Sequence, residues 1–158
     1  MLRSIHFIRI IIIICFANYT YSQDTFTSIR SGNWDDAQSN LFPSATSPWS
    51  YTGSDADGIP DNDDIVIITF GHTVDLSPVK TKVKDLTVNG TIDMPNSSCQ
   101  LYLQANSGPS TLTLNGDISG IGEIVTVSAN SVLTGTGSVS TTTKLWVANN
   151  FIIDNMNV

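Results

Sequence analysis

Reactive and basic side chains are scarce in this chain of 158 residues. It holds two histidines, His6 and His72, one glutamate, Glu123, and two cysteines, Cys15 and Cys99. Charged residues make up 13% of it, about half the usual share. Each shortage excludes something. One histidine and one cysteine beyond the N-terminal leader are too few for a zinc site. A histidine-based triad needs a partnered nucleophile and an orienting acid, and no recognisable nucleophile motif accompanies the many serines and aspartates. Seven Lys and Arg stand against fourteen Asp and Glu. Such a chain lacks the clustered cations that bind nucleic acid or anionic membranes, so no nucleic-acid partner is expected. The Glu, Lys and Ala that build surface helices are also few, and no segment beyond the leader reads as a helix.

The one long hydrophobic run is at the N-terminus. Arg3, His6 and Arg9 form a short basic region, Ile10 to Ala17 is nearly all hydrocarbon, and Thr20-Tyr21-Ser22 offers small residues where a signal peptidase reads. The run is far shorter than the about 20 apolar residues a membrane span needs. Residues 1–22 are therefore expected to be a secretory signal cleaved before Gln23, with no membrane insertion afterwards. Acylation of Cys15 is disfavoured because Ile14, not a small residue, precedes it. The protein is then secreted, extracellular or held at the outer cell surface. Arg3 and Arg9 leave with the signal and no acid does, so the net charge moves from −7 to −9. Cys99 is left alone, with no internal disulfide available, and is expected to pack as a small hydrophobe.

The remainder is rich in Thr, Ser, Asn, Val, Ile and Leu, a mixture that favours strands and polar turns. From Ile65 onward a pattern repeats. Ile65–Ile68 leads to Gly71-His72-Thr73-Val74, Leu86-Thr87-Val88 to Asn89-Gly90-Thr91-Ile92, and Leu112-Thr113-Leu114 to Asn115-Gly116-Asp117-Ile118. Leu133-Thr134-Gly135-Thr136-Gly137-Ser138-Val139 is a looser copy. Aligned on Gly71, Gly90, Gly116 and Gly137, the units are 19, 26 and 21 residues apart. A strand–glycine–strand unit of about this length is what one rung of a stacked solenoid leaves in sequence. Alternation within each strand allows one buried face, and glycine permits corners that need positive φ. The fold expected is all-β, a right-handed parallel β-helix or β-solenoid. The alternative is an antiparallel β-sandwich, because Asn-Gly is also a strong hairpin signal. It would pair Leu86–Val88 with Thr91–Asp93, which are short strands for a hairpin. Lys80, Lys82 and Lys84 fall on one face of a strand, where they would keep an edge solvated.

Residues 23–64 differ: they are irregular, aromatic and proline-containing. Ser31-Gly32-Asn33-Trp34 comes first, then Trp49, then Gly58-Ile59-Pro60-Asp61-Asn62-Asp63-Asp64-Ile65-Val66-Ile67, then Gly71-His72-Thr73-Val74. In that order these residues resemble the start of the β-helical domain of large secreted bacterial surface proteins, many of which carry a sorting domain for type IX secretion. That domain is similar to the extracellular domain named for its eight glycines, found in cell-surface hyaluronan-binding and fibrocystin-type proteins. The resemblance spans Ser28 to Val139 and is most specific over Asp63 to Val74. It implies an N-terminal cap over residues 23–64, followed by β-solenoid rungs over residues 65–158. The implied role is structural or adhesive: contact with an extracellular glycan or matrix, or support of a downstream domain. No sorting domain follows before Val158, so the expectation is a truncated piece or a short relative. A truncated solenoid would expose its last rung and self-associate.

Four groups of residues carry the chemical expectations. Trp34 and Trp49 are candidates for glycan contact through their ring faces, or else cover the open end of the first rung. Trp146, in the run Leu145-Trp146-Val147, is expected to be partly buried. Asp55, Asp57, Asp61 and Asp64 around Gly58 resemble the calcium loops of thrombospondin type 3 repeats, and calcium takes about six to eight oxygens. Gly53 stands where such loops place their first Asp, and the loop occurs once. The other reading is a solvated acidic turn in which Asp63 or Asp64 ties down loop amides. Calcium is the sole cofactor expected, and its role would be structural. His72 reads as a turn residue rather than a base. Asp75, Asp93 and Asp117, set about one rung apart, carry the alternative function: the N-terminal fragment of a β-helical polysaccharide-active enzyme, a lyase or glycoside hydrolase. Such an enzyme needs two carboxyls at a defined separation and an acid–base partner. The chain supplies no complete catalytic constellation, so no catalytic residue is assigned.

Overall fold

A computed structural model of the chain describes residues 23–37, 46–53, 57–76, 80–140 and 142–154. The leader at 1–22, and Asp55 of the acidic loop, lie outside the described residues. The described chain is all-β. It enters through β1 (Thr25–Ser28), β2 (Gly32–Asn33) and β3 (Trp49–Thr52). A triplet of short strands then recurs. The first is β4 (Ile65–Ile68), β5 (Thr73–Asp75) and β6 (Lys80–Val83), and the next is β7 (Asp85–Val88), β8 (Thr91–Met94) and β9 (Gln100–Leu103). There follow β10 (Thr111–Leu114), β11 (Asp117–Gly120) and β12 (Glu123–Thr126), then β13 (Ser131–Thr134), β14 (Ser138–Val139) and β15 (Lys144–Val147). The last described strand is β16 (Phe151–Asp154).

Apart from β3, which pairs only with β1, each strand up to β13 pairs with the one three places on. The first sheet runs β16-β13-β10-β7-β4-β1-β3, the second β14-β11-β8-β5-β2 and the third β15-β12-β9-β6. The pairings are parallel apart from β1 with β3, which is antiparallel. The Asn-Gly pairs consequently make corners between two sheets and close no hairpin. β7 lies in the first sheet between β4 and β10, and β8 in the second between β5 and β11.

The sequence explains why this arrangement buries a core. Successive side chains of a strand point to opposite faces, and nearly every strand alternates half-buried with buried. The buried set is apolar and in register from strand to strand: Val66 beside Leu86 and Leu112, Val74 beside Ile92 and Ile118, Leu101 beside Ile124. The outward set is mainly Thr, Asp, Gln, Glu and Tyr, with Ile65, Ile67 and Val125 as apolar members. Cys99 is buried just before β9 and free, as a small hydrophobe would be.

Three of the four aligned corner glycines, Gly90, Gly116 and Gly137, are required for a reason different from the positive φ expected. A Cβ on Gly116 would sit 1.9 Å from the carbonyl oxygen of Gly90, and one on Gly137 would sit 2.1 Å from that of Gly116. Neither residue has positive φ. Backbone stacked directly on backbone leaves no room for a side chain. Gly71 is the reverse case, with φ of 81° and open space around it.

Register also corrects the alignment of the repeats. Thr73, Thr91, Asp117 and Ser138 are Cα partners in succession. His72, not Gly71, therefore occupies the place of Gly90. The first corner is longer than its neighbours, with residues 69–72 between β4 and β5, against 89–90 and 115–116 at the next two corners and 135–137 at the last.

Candidate functional site

The N-terminal end is closed by aromatics. β3 lies antiparallel on β1, and Phe26 stacks on Tyr51 with centroids 5.0 Å apart. Trp34 and Trp49 meet edge to face at 5.1 Å, and both are 0% exposed. The Trp49 Nε1–H donates to the Trp34 carbonyl at 2.9 Å. Neither indole face is open to solvent, so the burial supports the covering role and leaves no ring for a sugar to stack on. Trp146 differs from expectation in the other direction. It is 57% exposed, because β15 is the end strand of its sheet and nothing described packs over it. β6 ends that sheet at the opposite side, and its Lys80 and Lys82 point into solvent.

In the acidic loop the carboxylates serve backbone amides. Asp64 is buried, and its Oδ1 accepts from the Asp24 N–H at 3.2 Å while Oδ2 accepts from the Asp61 N–H at 2.8 Å. Its carbonyl accepts from the N–H groups of Lys84 and Asp85, each at 3.2 Å. One residue thus ties the chain entry, the loop and the start of β7 together. Asp61 Oδ1 takes the Asp63 N–H at 3.0 Å and Asp57 Oδ1 the Ile59 N–H at 2.9 Å. Asp63 itself accepts from the Asn106 side-chain amide. Gly53 has a reason of its own, since a Cβ there would fall 1.7 Å from Asp24 Oδ1. Among the described residues no three His, Cys, Asp or Glu side chains are grouped to hold a metal ion. Asp57, Asp61 and Asp64 do not converge as a calcium cage would require.

His72 forms a staple. Its Nδ1 lies 2.9 Å from Ser28 Oγ and 3.1 Å from Ser28 O, and Ser28 Oγ also accepts from the Thr69 N–H at 2.8 Å. A Ser–His contact resembles half of a triad, but Ser28 is 2% exposed and cannot meet a substrate. The pair fastens β1 to the corner at 69–72. The three aspartates of the enzyme reading do not form one column. Asp75 is the register partner of Asp93, whereas Asp117 is the partner of Thr91. The next position after Asp93 is Ser119, whose hydroxyl donates to Asp93 Oδ1 at 2.8 Å.

A feature the residue types did not announce is a cleft of about 440 Å³ along the corner between the first and second sheets. Its form follows from corner length. The two-residue turns Asn89-Gly90 and Asn115-Gly116 lie between the longer turns at 69–72 and 135–137, and residues of all four line the cleft. Phe70, at the tip of the longest turn, is 85% exposed. Asn115 Nδ2 donates to Asn89 Oδ1 at 2.9 Å, so the two side-chain amides form a ladder along the floor. Asp117 lies beside them and accepts from the Ser138 hydroxyl. Corner length could have been counted from the repeats, but only with the strand ends known.

Comparison of the chain with protein-family models, with curated proteins and with solved structures finds no match.

Proposed function

We propose that this chain is an exported structural and adhesive module: a right-handed parallel β-helix with a capped N-terminal end, displayed outside the cell or on its outer surface. The observation that carries the reading is the parallel pairing of each strand from β4 to β13 with the third one on, over successive triplets. Among the described residues Asp75, Asp93 and Asp117 do not share one register column. Such an array offers length, a repeated outer face and a rigid core, which are the properties of a spacer or an adhesive surface. The resemblance of Ser28–Val139 to the β-helical domain of large secreted bacterial surface proteins points the same way. So do the leader-like residues 1–22 and the acidic balance of the rest. Its partners are extracellular glycan or matrix and, through the exposed end near β15 and β16, further copies of itself.

Export is tested by expressing the full chain in a bacterial host and determining the N-terminus of the product by mass spectrometry. Product outside the cytoplasm that begins at Gln23 is expected. Cytoplasmic product that still begins at Met1 would remove the basis of the reading.

A further inference from the structure

We infer that the corner cleft is a binding subsite for an extended neutral polysaccharide, with Phe70 as its stacking platform and Asn89, Asn115 and Asp117 as its hydrogen-bonding floor. The inference rests on the extracellular reading above and names a ligand class and a place for it.

Phe70 is the first part of the case. A phenylalanine 85% exposed gives the fold nothing by burial, and among the described corners between the first and second sheets it stands on the one lengthened to four residues. Its ring is free to take the apolar face of a pyranose, as aromatic rings take other flat apolar partners.

The floor is the second part. In the Asn89–Asn115 ladder, one bond uses one oxygen and one hydrogen. That bond leaves the Asn89 Nδ2 donors and the Asn115 Oδ1 acceptor for a ligand in the cleft that both residues line. Planar amides and a carboxylate are suited to the adjacent hydroxyls of a sugar, which both donate and accept. Gly90 and Gly116 have no side chains to lift a ligand off this floor.

Dimensions and charge select the ligand. The cleft crosses three steps of about 4.8 Å from the β4 corner to the β13 corner, and its residues recur at each step. A repeating linear chain of rings fits that better than a single small molecule. The charged lining residue is Asp117, an acid, on a chain of net charge −7. Uronic and sulfated glycans are therefore repelled, and neutral ones are selected.

The test is a calorimetric titration of the purified protein with cellohexaose, xylohexaose and mannohexaose, with a galacturonic acid hexamer as the anionic probe. At least one neutral hexamer is expected to bind. Phe70→Ala should weaken that binding at least tenfold, a loss of about 1.4 kcal/mol. Trp146→Ala, which removes an exposed aromatic outside the cleft, should leave it unchanged. Phe70 is so exposed that its removal leaves the core intact, and an unchanged circular dichroism melt verifies this. The proposal is overturned if no neutral hexamer binds, if Phe70→Ala binds as well as wild type, if Trp146→Ala alone abolishes binding, or if the anionic hexamer binds best. Any of these leaves the export reading standing, because the mature N-terminus decides that one separately.

Discussion

At the scale of single residues, the two buried tryptophans make unequal use of their polar atoms. Trp49 Nε1 donates to the Trp34 carbonyl, whereas Trp34 Nε1 is buried and has no acceptor among the described residues. A buried donor without a partner costs about 1–3 kcal/mol. Trp34→Phe removes ring volume but also removes that unpaired donor, so the two effects oppose one another. Trp49→Phe removes ring volume and also strips the Trp34 carbonyl of its partner, so the two effects add. Urea unfolding should show Trp49→Phe losing about 2–4 kcal/mol, and Trp34→Phe losing at least about 1 kcal/mol less. Equal losses would mean that the two indoles are held by shape alone.

At the scale of elements, the strands are short and register must be enforced along each outer face. β9, β12 and β15 carry one such device. Gln100, Glu123 and Lys144 are successive register partners, Gln100 Nε2 donates to Glu123 Oε2 at 2.8 Å, and Lys144 Nζ lies 3.5 Å from Glu123 Oε1. The Gln100 hydrogen bond, assisted by the positive charge of Lys144 and opposed by burial, holds the Glu123 carboxyl below its ordinary value of 4.5. A carboxyl lowered in the folded state stabilises the fold above its unfolded value, and that stabilisation is lost as pH falls through the folded value. Wild type should therefore lose more stability than Glu123→Gln when the pH is taken from neutral to well below 4.5, measured by denaturant midpoints. Parallel curves for the two proteins would show the ladder to be ornamental. The elements themselves were largely legible in the sequence: the runs at 65–68, 86–88 and 112–114 are β-branched or alternating, and their recurrence implied stacking. Register at the first corner was not. Gly71 serves positive φ and Gly116 serves close backbone approach, and one letter stands for both demands. Nor was the cleft legible, because the exposure of Phe70 depends on Thr69–His72 being a turn, which the residue types alone do not show. Asp64 as a tie for loop amides was one of two readings of the acidic run, and choosing between them needed the distances.

At the scale of the whole molecule, the two ends are unlike. The end formed by β1 and β3 is covered by Trp34, Trp49, Phe26 and Tyr51, whereas β14, β15 and β16 are the last strands of their sheets at the other. There Leu145, Trp146, Val147, Ile152 and Ile153 are each between 44% and 57% exposed, a concentration of apolar surface next to strand edges that have no partner among the described residues. Such edges recruit further strands. Growth into a fibre needs an open end to meet the opposite end of the next copy, and the aromatic cover blocks that. Two open ends meeting each other satisfy both at once and then stop, which is the closed two-fold arrangement. The purified protein should therefore pass from monomer to dimer with rising concentration in light scattering, without longer species. Replacing Leu145 and Ile153 together by Lys should hold it monomeric at concentrations where wild type is dimeric, since four like charges would meet across the two-fold contact. A wild type that stays monomeric throughout would mean that the exposed rung is too small or too mobile to hold a partner. Fibres would mean that β3, with Trp49, lifts away and that the N-terminal cover is a latch.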